Sequence, residues 1–251
     1  MSTDRITWLG HATVLIELGG VRLLTDPLLR DRLGHLRRHG RSPDAGATED
    51  LDAVLISHLH LDHLDLPSLK RLPRTTRLLV PRGAGAFLRR QGFPAAEELA
   101  AGDRADVGGL PVVAVPAVHD RRRRPFGGGP EADALGFIAG GRVYFAGDTD
   151  LFDEMGELGD LDVALIPVWG WGPSLGEGHL DPPAAARAAA LVRPRIAVPI
   201  HWGTFYPRGL ARYRSHRLTD PPHEFAAEVA RLAPDVAVRV LAPGGSVVLP
   251  E

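Results

Sequence analysis

Cysteine is absent from the 251 residues. Disulfides, a thiolate metal site and a cysteine nucleophile are therefore excluded, and any metal must be held by nitrogen and oxygen donors. Lysine is almost absent too: of 29 basic residues, Lys70 is the single lysine and the rest are arginine. Arginine grips phosphate and carboxylate better than lysine does, although a G+C-rich coding bias produces the same composition. No stretch approaches the roughly 18 unbroken apolar residues of a spanning helix. The opening MSTDRITWLGH has neither a basic nor an apolar leader segment, so no signal peptide is expected and a cytoplasmic location is the default. An excess of one charge is missing as well. The 31 acidic side chains balance the basic ones to a formal net of −2, which gives no overall pull toward nucleic acid. Hydrophobic residues at 44% and charged residues at 24% exclude a disordered chain.

No repeat or low-complexity linker divides the chain, so one domain over 1–251 is expected. Short apolar runs at 6–9, 14–18 and 21–25, broken by Gly10 and Gly19-Gly20, predict strands and a hairpin. The stretch 27–48 has no clear period and is expected as a surface loop or lid, or as a disordered insertion. The run 52–57 has the length and apolarity of a strand buried on both faces. One or two helical turns at 66–72, a strand at 77–81 and a short helix at 84–91 follow. Strands are then expected at 111–117, 135–138, 142–146, 163–167 and 196–200, helices at 182–192 and 222–232, and two short strands at the end. Hairpins mixed with strand–helix units, repeated in two halves, predict a mixed α+β and α/β architecture in which sheets are covered by helices.

Eleven histidines are present, and their placement carries the chemistry. His58, His60 and His63 lie within six residues, with Asp62 between them, directly after the buried strand at 52–57. On extended backbone, alternate side chains point the same way, so His58 and His60 can share one point while Asp62 and His63 turn to another. A core does not accommodate three imidazoles and a carboxylate without partners. His119, Asp148 and His201 each follow a predicted strand, and strand ends along one edge are where sites gather in α/β folds. Singly, each is also compatible with a capped loop or turn residue. Together the seven offer five imidazoles and two carboxylates. That set suits two divalent ions sharing a carboxylate, zinc first, with manganese and iron as competitors.

The pieces Ser57-His58-Leu59-His60-Leu61-Asp62-His63, His119, Gly147-Asp148-Thr149 and His201 resemble the metallo-β-lactamase superfamily, in order and over nearly the whole chain. The resemblance implies a four-layer αβ/βα sandwich with metals at one edge. It implies that His58, His60 and His119 hold one ion, that Asp62, His63 and His201 hold the other, and that Asp148 bridges them. Trp8-Leu9-Gly10-His11-Ala12-Thr13, Thr25-Asp26-Pro27 and Gly178-His179-Leu180-Asp181-Pro182 are similar to the branch containing ascorbate-6-phosphate lactonases and N-acyl phosphatidylethanolamine-hydrolysing phospholipase D. In that branch, histidines corresponding to His11 and His179 lie near the metals, behind a ligand or facing substrate. Asp26 is expected to orient a ligand histidine, or to be a turn residue before Pro27.

The expected chemistry is hydrolysis of a phosphoester, lactone or other ester by a hydroxide bridging two metals. The expected catalytic residues are Asp62, His179 and His11. Asp62, as a metal ligand, cannot also be a free base, which leaves His11, His179 or a metal-bound water to protonate the leaving group. The substrate is expected to be a small anionic or ester molecule, with no nucleic acid partner; oligomeric state is not legible. Arg121 to Arg124 could clamp an anion or form a solvated loop, and Trp169 and Trp171 could line a pocket or pack a lid. Alternatives are an iron-dependent oxidoreductase on the same fold, a nuclease, and a binding protein without activity.

Overall fold

Strands whose alternate side chains pack against opposite layers form two facing sheets. The structure is a computed structural model that describes residues 3–124, 129–170, 175–210 and 216–250. The first half of the chain forms β1 (Arg5–Gly10), β2 (Thr13–Leu18), β3 (Val21–Thr25), β4 (Arg32–Leu33), β5 (Leu36–Arg38), β6 (Ala53–Leu55), α1 (Leu66–Leu69), β7 (Arg77–Pro81), α2 (Gly85–Arg90) and β8 (Ala96–Leu99). The second half forms β9 (Arg104–Val107), β10 (Leu110–Pro116), β11 (Leu135–Ala139), β12 (Val143–Phe145), β13 (Val163–Pro167), α3 (Pro182–Val192), β14 (Ile196–Ile200), β15 (Phe205–Pro207), α4 (His216–Thr219), α5 (Pro221–Leu232), β16 (Ala237–Val238) and β17 (Ser246–Val248).

One seven-stranded sheet has the order β17-β1-β2-β3-β6-β7-β8, and the other β16-β14-β13-β12-β11-β10-β9. Alternate side chains of each strand face opposite ways. Ile6, Trp8, Ala53 and Leu55 of the first sheet meet Phe137, Phe145, Val163 and Leu165 of the second in the central core. Their neighbours point outward. Val54, Leu78 and Val80 pack under Leu69 and Leu88 of α1 and α2. Ala164, Ile166 and Ala197 pack under the alanine face of α3 and Phe225 and Val229 of α5. Each fully buried large apolar side chain contributes about 1.5–3 kcal/mol. The result is the layered αβ/βα sandwich. Among the described residues, no helix is long and apolar enough to cross a membrane.

Three features differ from the sequence pattern. The strands β8 and β9 were not expected. They are edge strands carrying Glu97, Glu98, Arg104 and Asp106, and charged edges give little apolar signal. The 27–48 segment contains the hairpin β4–β5, to which β15 adds a third strand; Leu28, Leu33 and Leu36 bury against Phe205. The strand at 52–57 and the helix at 66–72 are each shorter than expected, at Ala53–Leu55 and Leu66–Leu69.

Topology gathers the strand ends. β1, β3 and β6 run one way, because β1–β2 and β2–β3 are antiparallel and β3–β6 is parallel. By the same reasoning β10, β12, β13 and β14 share a direction. His11, Asp26, His58, His119, Asp148 and His201 each lie within three residues of the C-terminal end of one of these strands.

Candidate metal centre

The turn from β1 to β2 is fixed from three sides. Gly10 has φ +107°, and a Cβ there would sit 3.0 Å from the Thr204 side chain. His11 follows at φ +55°. Its amide donates to Thr204 Oγ1 at 2.7 Å, and its carbonyl accepts from Trp8 Nε1 at 2.8 Å and from the His201 amide at 2.9 Å. Trp8 stacks on Trp202 with ring centroids 5.0 Å apart. The W-x-G-H pattern thus ties the end of β1 to the end of β14. Thr13 Oγ1 donates to the Asp26 carbonyl, and Thr25 Oγ1 donates to the Ala12 carbonyl. The first and second short motifs therefore interlock.

Two groups of donors face each other. In the first, the rings of His58, His60 and His119 lie with centroids 4.5–4.7 Å apart, and His119 Nε2 is 3.0 Å from His60 Nδ1. In the second, Asp62, His63 and His201 cluster with His11. His63 Nε2 is 3.2 Å from His201 Nε2, and Asp62 Oδ2 is 3.5 and 3.7 Å from those two nitrogens. Asp148 Oδ2 lies 3.2 Å from His63 Nε2 and 3.3 Å from His201 Nε2. Asp148 also groups with His119 and His179. The seven side chains singled out in the sequence are thus brought together at one edge of the sandwich.

The far nitrogens of His119, His201 and His63 are occupied. His119 Nδ1 donates to the Gly178 carbonyl at 2.6 Å, and His201 Nδ1 to the Trp169 carbonyl at 2.6 Å. His63 Nδ1 donates to Asp26 Oδ2 at 2.7 Å. A carbonyl or carboxylate only accepts, so each contact puts the proton on Nδ1 and leaves the Nε2 lone pair directed inward. Gly178 is required here, since a Cβ would stand 2.9 Å from His119 Nδ1. His58 Nε2 and Asp148 Oδ1 are buried without a hydrogen-bond partner among the described residues. An orphaned buried acceptor costs about 1–3 kcal/mol, and five imidazoles with two carboxylates form a donor set that a divalent cation satisfies. The residues therefore fit a metal.

Electrostatics differ between the groups. Burial pushes His58 well below the usual imidazole range, lowers His60, and takes His119 down to about 4. Burial also opposes charge on His63 and His201, but Asp148 and Asp62 outweigh it and both are raised. Burial would raise the two carboxylates, yet His63 and its neighbours hold Asp62 down, and His201 and His63 hold Asp148 down, both well below the usual carboxylate range.

His11 is buried, and its Nε2 contacts Asp62 Oδ2 at 3.0 Å. Burial lowers it to about 3, so it is a neutral ring held behind Asp62. His179 is 27% exposed, with Nε2 3.6 Å from Asp148 Oδ2, and its ring meets His119 edge-on at 4.7 Å. It stands at the mouth of the centre. Asp181 caps α3 by accepting from the Ala184 amide.

Several participants carry no sequence signal. Arg123, within the arginine run, turns inward. It donates to the Leu59 carbonyl at 2.8 Å and the Leu64 carbonyl at 3.2 Å, and lies over Phe87. It thereby staples the His119 segment to the His58–His63 loop. Arg121 and Arg122 instead pair with Asp133 and Asp120 near the surface, and Arg124 is exposed. Trp169 stacks under Arg217. Trp171 lies outside the described residues. Leu61 and Val118, each beside a histidine of the first group, are 41% and 48% exposed.

A four-layer sandwich with clustered histidines and aspartates at one edge of its sheets defines the metallo-β-lactamase fold class. The family model for the beta-lactamase superfamily domain matches residues 21–202, and the chain belongs to that superfamily. A UPF0173 metal-dependent hydrolase of Methanopyrus kandleri is 36% identical, over 96% of this chain and 98% of that protein. N-acyl-phosphatidylethanolamine-hydrolyzing phospholipase D 1 of Caenorhabditis elegans is 33% identical over 82% of this chain and 65% of its own length. Among solved structures, Igni18, a metallo hydrolase from Ignicoccus hospitalis, superposes with a TM-score of 0.72 at 26% identity over 100% of both chains. The diiron β-hydroxylase CmlA of Streptomyces venezuelae has a TM-score of 0.71 at 21% identity, over 99% of this chain and 55% of its own. That likeness is one of fold.

Proposed function

We propose that this protein is a metal-dependent hydrolase that holds two divalent cations and cleaves an ester, lactone or phosphoester bond in a small molecule. The observation that carries this reading is a pair of buried polar atoms without a hydrogen-bond partner among the described residues, His58 Nε2 and Asp148 Oδ1, among imidazoles of which His63, His119 and His201 already have their outer nitrogens bonded. In this reading His58, His60 and His119 would hold the first ion and Asp62, His63 and His201 the second, and Asp148 would be shared between them. Zinc suits neutral imidazole and carboxylate donors best, with manganese or iron as competitors. When bound, a metal pair supplies an acidified water as nucleophile and polarises the scissile bond.

The chain's own residues do the rest. His11 donates to Asp62 and keeps that carboxylate turned toward His63 and His201. Asp62 does not retain a proton, because His63 and its neighbours hold its acidity strong; its part is to bind cation rather than to act as a base. His179, at the mouth and outside both ligand groups, is the side chain placed to contact substrate and pass a proton to its leaving group. Relatives named as metal-dependent hydrolases along nearly their whole length support the reading. The test is metal analysis of the purified protein, then chelation, reloading with zinc, manganese or iron, and a screen over phosphodiesters, sugar-phosphate lactones and N-acyl lipids. Two ions per chain and turnover that disappears on chelation and returns on reloading are expected. Full turnover in the stripped protein would refute it.

A further inference from the structure

Behind the centre, one buried carboxylate reaches both ligand groups. Asp26 follows β3 in left-handed backbone, φ +33°, and is fully buried. Its Oδ1 accepts from the Ser57 amide at 2.7 Å. Its Oδ2 accepts from Ser57 Oγ at 2.5 Å and from His63 Nδ1 at 2.7 Å. Ser57 Oγ in turn lies 2.9 Å from His58 Nδ1.

We infer that Ser57 is a positioning residue that fixes the tautomer of His58 and, through Asp26, links the first ion's ligands to those of the second. The inference rests on the two-ion reading above. A hydroxyl has one proton and two lone pairs, whereas an ionised carboxylate has only lone pairs. Asp26 is the target of three donors, so the Ser57 proton goes to Asp26. What Ser57 has left for His58 is a lone pair, so His58 Nδ1 must be the donor. A neutral imidazole protonated on Nδ1 has its lone pair on Nε2, and His58 Nε2 is a buried nitrogen without a hydrogen-bond partner among the described residues. Ser57 cannot easily give way. At Gly147, with φ +63°, a Cβ would stand only 2.5 Å from Ser57 Cβ, so the segment leading to Asp148 closes directly on the serine. The same Oδ2 thus sets His63 directly and His58 through one hydroxyl. Neither Ser57 nor Asp26 needs to touch substrate.

The test uses the full chain, stripped of metal and titrated with Zn²⁺ or Co²⁺ by calorimetry. Ser57→Ala should weaken one of the two ions by about 10–100-fold and leave the other within about threefold, whereas Asp26→Asn should weaken both. Long-range ¹H–¹⁵N spectra of the ¹⁵N-histidine-labelled, metal-free protein give a second readout. His58 should be the Nδ1–H tautomer in the unmodified chain and should lose that single tautomer in S57A. Unchanged affinities in S57A, equal weakening of both ions, or an Nε2–H tautomer for His58 in the unmodified chain overturns the inference. An unmodified chain that binds fewer than two ions instead overturns the two-ion reading, and the cross-link between sites with it. The spectra still decide the Ser57–His58 contact in that case, and they do so without any variant that has to fold.

Discussion

The two halves of the centre balance charge in different ways. The His58, His60 and His119 group has three rings that burial keeps neutral, and no carboxylate of its own. The His63 and His201 group is fully buried between Asp62 and Asp148, which raise its imidazoles. In the proposed function, the first half would take a cation because burial excludes protons from its rings. The second is set apart by fixed negative charge, which raises its imidazoles. Similar side chains thus become two kinds of subsite, according to which carboxylates the strand ends bring near.

The largest way to break this comparison is Asp148→Ala, because Asp148 belongs to both halves. Its loss should abolish turnover and leave fewer than two ions bound, as read by elemental analysis; a D148A protein that keeps both would remove the shared carboxylate from the account. Next come His119→Ala and His201→Ala. Each should reduce the stoichiometry from two ions to one, and the surviving ion should differ between them.

Acidification should separate the halves more gently. His119 stays neutral until about pH 4, and burial lowers His58 and His60 as well, so protons compete less for the first group. His63 and His201 are raised, so protons compete there at higher pH than in the first group. Equilibrium dialysis stepped downward from neutral pH should show the second ion leaving first. Simultaneous loss would contradict the electrostatic contrast. His11→Ala should then weaken the second ion by about 10–100-fold with little effect on the first, by analogy with other residues that orient a ligand.

The smallest effect concerns the brace. Arg123→Ala leaves the Leu59 and Leu64 carbonyls without their donor and should cost about 1–3 kcal/mol of stability, measured by urea unfolding. Arg123→Lys, which retains a donor but not the fork, should recover part of it. No change in R123A would return the arginine to the solvated loop suggested by the charge run.

Much of this arrangement is legible in the chain. Short apolar runs expose the buried strands, and His-x-His-x-Asp-His directly after one of them has few structural uses. His119, Asp148 and His201 can be read because strand ends share an edge. What is not legible depends on tertiary proximity. Four consecutive arginines look equivalent, yet only the fold turns Arg123 inward. Ser57 reads as the last residue of a strand, and nothing local indicates that its hydroxyl lies between Asp26 and His58. The edge strands β8 and β9 are hidden because their charged side chains suppress the apolar pattern. The β4–β5 hairpin is hidden because β15, its third strand, lies far away in sequence.

The proposed function requires two cations in two unlike subsites. The most direct measurement is anomalous scattering from crystals grown with zinc. It should show two peaks per chain, one against His58, His60 and His119 and the other against Asp62, His63 and His201, with Asp148 reaching both. A single peak, or peaks away from these side chains, would contradict it.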